Sequence, residues 1–329
     1  MRAGDAMRDS NVLASVVASL LAIALGLEAM PASAQRTPWP ARPVHLTVAY
    51  PPGGVSNAIA RALAERVAVQ VGVPVVVDNQ AGAGGTNAMR LLARAKPDGH
   101  ALVFSAISPL TIAPRLGPVG FDPQQDIAPV LSVMITPVLV VGTQALAGDT
   151  FAEMIALAKA NPGGVRWATS GSATIGHMVL EQVRAASGAD ITHVPYKGGS
   201  PQLVDALSGQ FEVLSTNVGE QQLDYVRSGR LKALAVGSPA RLAVLPDVPT
   251  VAELGFPDAN LASVFGIFAP GGTPASIVQR VNEAFNKALQ HPEIRERLEA
   301  VNNLPTGGTP GDFAEQIARE RQTGISSAR

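Results

Sequence analysis

Between residues 44 and 111, and again between 150 and 236, short β-branched runs alternate with runs of helical period. Strands that return in the same direction need a crossover, usually a helix, so this alternation predicts mostly parallel sheets covered by helices. Strands are expected at 44–50, 73–78 and 101–105. Helices are expected at 56–70, with Ile59, Leu63 and Val67 on one face, at 84–95, and briefly from Pro109;. Two apolar runs, Val130–Ile135 and Val138–Val141, are parted by Thr136-Pro137. The second set reads helix 151–160, strand 165–169, helix 174–187, strand 191–194, helix 200–208, strand 211–215, helix 218–228 and strand 231–236. One further strand, 264–269, and helices near 274–289, 292–301 and 311–321 complete the pattern. The fold class expected is α/β: two similar lobes with a cleft between two mixed or parallel sheets. The expected division is 35–136 plus 257–329 for lobe 1 and an inserted lobe 2 at 137–256.

Residues 1–34 read as a signal peptide. Arg2 and Arg8 precede an apolar run from Val12 to Leu27, and Ala32-Ser33-Ala34 fits a small-x-small cleavage pattern;. Cleavage near Ala34 would leave an exported product, which the family resemblance given below places in the periplasm. A run of about 16 residues is short for a bilayer span, which needs about 20. Arg2, Arg8, Asp5, Asp9 and Glu28 would leave with the leader, so 23 basic and 23 acidic residues remain. That balance, with no basic run longer than two, argues against a nucleic-acid partner. Hydrophobic residues make up 47% of the chain, enough for a large core;. The absence of cysteine excludes disulfides, thiolate metal sites, a cysteine nucleophile and a lipoprotein anchor;.

Catalytic and cofactor motifs do not assemble. Gly82-Ala83-Gly84-Gly85-Thr86-Asn87 begins like a dinucleotide fingerprint, but Asn87 stands where the last glycine belongs;. There is no P-loop and no G-x-S-x-G elbow; Gly199-Ser200-Pro201 lacks the second glycine;. The five histidines lie at least 16 residues apart, without metal-ligand spacing;. We therefore expect no catalytic residue, no metal and no cofactor. His177 and Glu181, at i and i+4, are expected to form a local hydrogen bond or ion pair. The run His193 to Gly198 reads as a strand end and turn.

Three strand-to-helix exits rich in small residues remain. In the first, Pro51-Pro52-Gly53-Gly54 leads to Ser56 and Asn57. In the second, Ser105 is followed by Ser108-Pro109, a good N-cap with proline at the first helical position. The third runs from Ala168 through Thr169, Ser170, Gly171 and Ser172 to Thr174. All three leave the carboxyl ends of strands, where open parallel sheets bind ligands. Helix N-termini there favour an anion by roughly 0.3–1 kcal/mol each, more when buried.

The chain also resembles a known family over nearly all of its length after the leader. The resemblance is carried by Trp39-Pro40-Ala41-Arg42-Pro43, Tyr50-Pro51-Pro52-Gly53-Gly54, Gly82-Ala83-Gly84-Gly85, Pro97-Asp98-Gly99-His100 and Phe121-Asp122-Pro123. It continues through Ser170-Gly171-Ser172, His193-Val194-Pro195-Tyr196-Lys197-Gly198, Leu245-Pro246-Asp247-Val248-Pro249-Thr250 and Ala269-Pro270-Gly271-Gly272-Thr273-Pro274. These residues are similar to those of the Bug family, the periplasmic solute-binding proteins of tripartite tricarboxylate transporters.

The resemblance implies a non-enzymatic binding protein that closes on a small carboxylate and presents its closed form to integral membrane transporter subunits. It implies clamps at Pro51–Gly54 and Thr169–Ser172, acting through backbone N–H groups, hydroxyls and ordered water. Tyr50, Thr216 and Asn217 enter the expected ligand-binding set with it. Two departures bear on the ligand. Asn57 stands where the family usually has Asp, and Ser215-Thr216 where it often has Phe-Asp. Both remove negative charge near the expected cleft, so a carboxylate without an amino group is expected. The protein is expected to be a monomer. Two alternative readings are a sensory binding protein that docks on a membrane receptor, and an exported hydrolase using Ser170 or Ser172.

Overall fold

The computed structural model describes residues 39–323. The expected leader, 1–34, and its cleavage near Ala34 lie outside the described residues. Strand β1 (Val44–Val48) alternates as its sequence does, with Val44, Leu46 and Val48 fully buried and His45 exposed. Helix α1 (Val55–Val71) buries Ile59, Leu63 and Val67 in the same core. It stops at Gly72, whose left-handed φ of 73° lets its N–H close on Ala68 O;. Strands β2 (Val75–Asn79) and β3 (Ala101–Ala106) pair parallel on either side of β1. A 3-10 turn (Ala83–Gly85) and α2 (Thr86–Leu92) lie between them. Two single-turn helices, α3 (Ser108–Thr111) and α4 (Ala113–Leu116), follow β3.

Strand β4 runs unbroken from Ile127 to Gly142, across the expected interruption at Thr136-Pro137. The strand changes partners there. Residues 127–137 pair antiparallel with β9 (Ala262–Pro270), and 138–142 pair with β7 (Val213–Asn217) and β8 (Lys232–Gly237). Proline is compatible with a strand where no ladder donor is needed. The Pro137 carbonyl accepts from Val218 N at 3.1 Å.

In the second lobe β5 (Val165–Thr169) pairs parallel with β6 (Ile191–Pro195) and β7. Helices α5 (Phe151–Ala160), α6 (Ile175–Ser187), α7 (Gly199–Leu207) and α8 (Glu220–Arg227) connect its strands. The strand expected at 211–215 begins two residues later, because Phe211 turns inward and packs edge-on against Tyr196 at 5.7 Å.

The result is the expected two-lobed α/β fold. One lobe orders its strands β2-β1-β3-β9-β4, and β4 passes into the other, which continues β7-β5-β6 with β8 also on β4. Residues 238–261 carry the chain back to β9. Ala259 and Leu261 pack in the core of the second lobe, as do Ile112, Ala113 and Val119. Helices α9 (Ala275–Leu289), α10 (Pro292–Glu299) and α11 (Pro310–Thr323) and the short β10 (Leu304–Pro305), which pairs with Ile135 and Met134, return to the first lobe. Phe313 of α11 covers Gly266, where a Cβ would come within 2.2 Å of its ring. Among the described residues, no helix is long and apolar enough to cross a membrane.

Candidate ligand-binding site

Strands β1, β3, β5, β6 and β7 all release the chain toward one place. The exits of β1 and β3 come from the first lobe and the other three from the second, and together they line a cleft between the lobes. Four helices of eight or more residues begin at its wall. Val55 and Ser56 open α1, Ile175 and Gly176 open α6, Gly199 and Ser200 open α7, and Gln221 and Gln222 lie in the first turn of α8. Gly54, Gly198 and Gly219, as N-caps, give no side-chain hydrogen bond to the first turns of α1, α7 and α8. Among the described residues, no Asp, Glu, His, Lys or Arg side chain lines the cleft. An anion placed there would meet helix N-termini and neutral donors only.

Several of those donors are held in place. Tyr50 accepts from Ala106 N at 3.1 Å and packs edge-on against Phe265 at 5.8 Å. Burial pushes its phenol pKa up, so it stays neutral with an O–H to donate;. Ser263 Oγ donates to Asn217 Oδ1 at 2.8 Å, which leaves the Asn217 amide nitrogen as the group to donate onward;. Ser215 is already occupied, donating to Gly176 O and accepting from Trp167 Nε1. Gln222 Nε2 donates to Thr216 Oγ1 at 3.3 Å.

Of the residues read from the sequence, Tyr50, Gly54, Ser108, Ser170, Thr216 and Asn217 line the cleft. The others stand behind or beside it. Asn57 is buried and accepts from Asn79 Nδ2, which also donates to Tyr50 O, so it ties the β1 exit to β2. Ser105 is fully buried; a Cβ on Gly85 would lie 3.0 Å from its Oγ. Thr169 is fully buried too, and its Oγ1 meets His193 Nε2 at 2.8 Å, Gly171 O and Gly171 N. Ser172 is exposed. Sequence reading placed Ser56 and Thr174 in the exit loops without assigning them to the ligand, and it missed Ser200, Gln221, Gln222, Ser263 and Phe265. Gly198-Gly199-Ser200-Pro201 carries the same signal as Pro51-Pro52-Gly53-Gly54, a glycine-rich strand exit before a helix.

The lobes touch around the cleft. Ser200 Oγ donates to Pro52 O at 2.8 Å. A Cβ on Gly198 would stand 2.2 Å from Pro51 Cδ, and one on Gly84 would stand 2.7 Å from Ser172 O. The molecule is therefore closed, and the glycines permit it. Within, the cavity measures about 70 Å³. That suits a small solute.

Behind the Thr169 loop, His177 and His193 stack with ring centroids 4.2 Å apart. His177 Nε2 lies 3.5 Å from Glu181 Oε1, the local pair expected. Burial pulls His177 below the usual range. Burial first, and His177 second, bring His193 down to about 4. Both rings are neutral at pH 7. Thr169 and His193 form a hydrogen bond, but neither lines the cleft, so the pair presents no nucleophile to a solute. Among the described residues no group of three or more metal-ligating side chains comes together.

Residues 59–322 match the model of the tripartite tricarboxylate transporter family receptor. Protein BugT of Bordetella pertussis is 36% identical over 288 residues, spanning 86% of this chain and 87% of that protein. Three solved structures superpose with a TM-score of 0.81. The periplasmic binding protein BugD is 27% identical, with 87% of this chain and 96% of that one covered. Rpa4515 of R. palustris, solved with adipate, is 30% identical, with 87% and 95% covered. MatC of Rhodopseudomonas palustris, solved with bound malate, is 28% identical, with 87% and 98% covered. The family is one of receptors rather than enzymes. The chain belongs to the tripartite tricarboxylate transporter family of receptors, the Bug proteins.

Proposed function

We propose that this protein is an exported receptor that captures a small carboxylate without an amino group between its two lobes and delivers it to the membrane subunits of a tripartite tricarboxylate-type transporter. The observation that carries the reading is the convergence of four helix N-termini, from both lobes, on a cleft lined by no charged side chain. Such termini favour anions. Hydrogen bonds from neutral donors to a charged acceptor contribute about 1.5–3 kcal/mol each. A carboxylate accepts from several donors at once, whereas an ammonium needs acceptors or a counter-charge. Among the described residues neither Asp nor Glu lines the cleft. Adipate and malate, bound in two relatives, are solutes of this kind.

In this reading Tyr50, Gly54, Ser108, Ser170, Thr216 and Asn217 contact the solute directly or through water. Pro52, Gly53, Gly171 and Ser172 shape the closing loops, and Asn57, Ser105 and Thr169 hold those loops from behind. The lobes divide as 35–136 plus 257–329 and 137–256. The mature protein begins at Gln35, works as a monomer in the periplasm and uses no cofactor.

The test is a binding screen on residues 35–329 with mono-, di- and tricarboxylates, aromatic acids, amino acids and neutral amides. Thermal shift and tryptophan fluorescence are read together. Trp167 reports on the site because its Nε1 donates to Ser215 beneath the cleft. A solute at about 100-fold over its dissociation constant should stabilise the fold by about 2.7 kcal/mol. Response to a carboxylate class supports the reading, and response to amino acids alone overturns it.

A further inference from the structure

A second cavity adjoins the cleft. It is lined by Gly53 to Val55, Ala58 and Ile59 from the start of α1, by Gly219 to Gln222 from the start of α8, and by Arg297 and Val301. Its walls thus come from both lobes, so it exists in this form only when they close. Its room for water centres is about 220 Å³, against about 70 Å³ in the cleft. The two spaces share Gly54, Val55, Gln221 and Gln222. At this shared wall Gly54 carries no side chain, and a Cβ there would meet nothing within 4 Å.

The annex differs from the cleft in charge. Among the described residues the cleft has no ionic side chain, whereas the annex has exposed Arg297 and exposed Glu220. Arg297 has no carboxylate or hydrogen-bond partner among the described residues, and Glu220 is in no ion pair. Its neighbour on α10, Arg295, is by contrast engaged by Glu299 at 3.2 Å and Gln290. An unengaged guanidinium in a cavity that shares a wall with an anion cleft is placed to meet a second anionic group.

We propose that the annex receives the distal carboxylate of an extended diacid whose proximal carboxylate occupies the cleft, with Arg297 as its cation. This rests on the carboxylate reading above and adds a length requirement to it. A short diacid fills the cleft and stops there. A longer one passes Gly54 and gains a charge-assisted hydrogen bond, bidentate when the guanidinium fork meets both oxygens. Glu220 opposes this and limits the gain.

The test is calorimetric titration of residues 35–329 with succinate, glutarate, pimelate and suberate, for the wild type and for Arg297→Ala, Arg297→Lys, Glu220→Gln and Arg295→Ala. Arg297 is exposed and unpartnered, so its substitutions leave the fold intact, and thermal unfolding checks that. Arg297→Ala should weaken pimelate or suberate roughly threefold to tenfold and change succinate less than about twofold. Arg297→Lys should keep part of the preference, and Glu220→Gln should strengthen the long diacid. Arg295→Ala, which removes the same charge from the same helix, should move neither. Equal weakening of short and long diacids, or an Arg297→Ala protein with wild-type preference, overturns the annex while the carboxylate reading stands. Failure of every acid in the wider screen overturns the carboxylate reading itself.

Discussion

The β1 exit and the β5 exit face each other across the cleft and do the same job with different chemistry. The first, Tyr50 to Asn57, is stiffened by the chain itself. Pro51 and Pro52 fix two φ angles, and the buried side-chain support is a short run from Asn57 through Asn79 to Tyr50 O;. The second, Thr169 to Thr174, has no proline. It is held by hydroxyls folded back on its own backbone: Thr169 Oγ1 on Gly171, Thr174 Oγ1 on Gly171 O, and the His193 ring behind Thr169. A loop stiffened by proline needs few side-chain bonds. A loop stiffened by hydroxyls fails when one is removed. The two sides of the cleft should therefore differ in their sensitivity to substitution.

The largest effect should come where the sides meet. Gly198→Ala puts a Cβ into Pro51 and strains a residue with φ of 135°. Affinity for the solute should fall about tenfold to a hundredfold, as overpacking of ~1–3 kcal/mol implies. X-ray scattering should show the solute-saturated variant still open. Next, Thr169→Val removes a fully buried hydroxyl with several partners and should cost about 1–3 kcal/mol by urea unfolding. Thr174→Ala removes the N-cap of α6, whose Oγ1 accepts from His177 N at 3.3 Å, and should cost about 1 kcal/mol;. Asn57→Ala on the proline side should cost less than Thr169→Val, about 1 kcal/mol or below, because Asn79 keeps its bond to Tyr50 O;. An Asn57→Ala loss as large as that of Thr169→Val would break the comparison.

The second loop should also respond to pH. His193 is held down to about 4, against an ordinary value of 6.5. Between these values the unfolded chain binds a proton that the folded chain refuses, so stability rises with pH through that window. It is fully present above pH 6.5 and is lost as pH falls toward 4. His193→Gln should flatten the unfolding midpoint over that window. An unchanged slope would remove the histidine pair from the loop's support.

Much of this was legible in the chain. Helix 151–160 and strand 165–169 fall where the sequence put them, because Thr150 with Glu153 forms a capping box and Val165 begins a short apolar run. Pro51 to Gly54 announced the first loop. What the sequence hid lies in long-range pairing. Pro137 reads locally as a strand break, and only its change of partners from β9 to β7 and β8 makes the strand continuous. Gly84 and Gly198 read as ordinary turn glycines until the opposite lobe supplies Ser172 and Pro51. Gln221 and Gln222 are unremarkable surface residues until α8 is aimed at the cleft. Asn57 was legible as a polar residue beside the loop but not as one facing β2, since its partner Asn79 is 22 residues away.

The central claim is that an uncharged cleft holds an anion through helix N-termini and neutral donors. Parallel calorimetric titrations of the mature protein with succinate, its monoamide and its diamide test it most directly, because the three differ in charge and hardly in shape. The account predicts the tightest binding for the dianion and a stepwise loss of about tenfold or more for each charge removed, matching about 1.4 kcal/mol per step. Equal affinity for the diamide, or tighter binding of it than of the acid, would contradict the account.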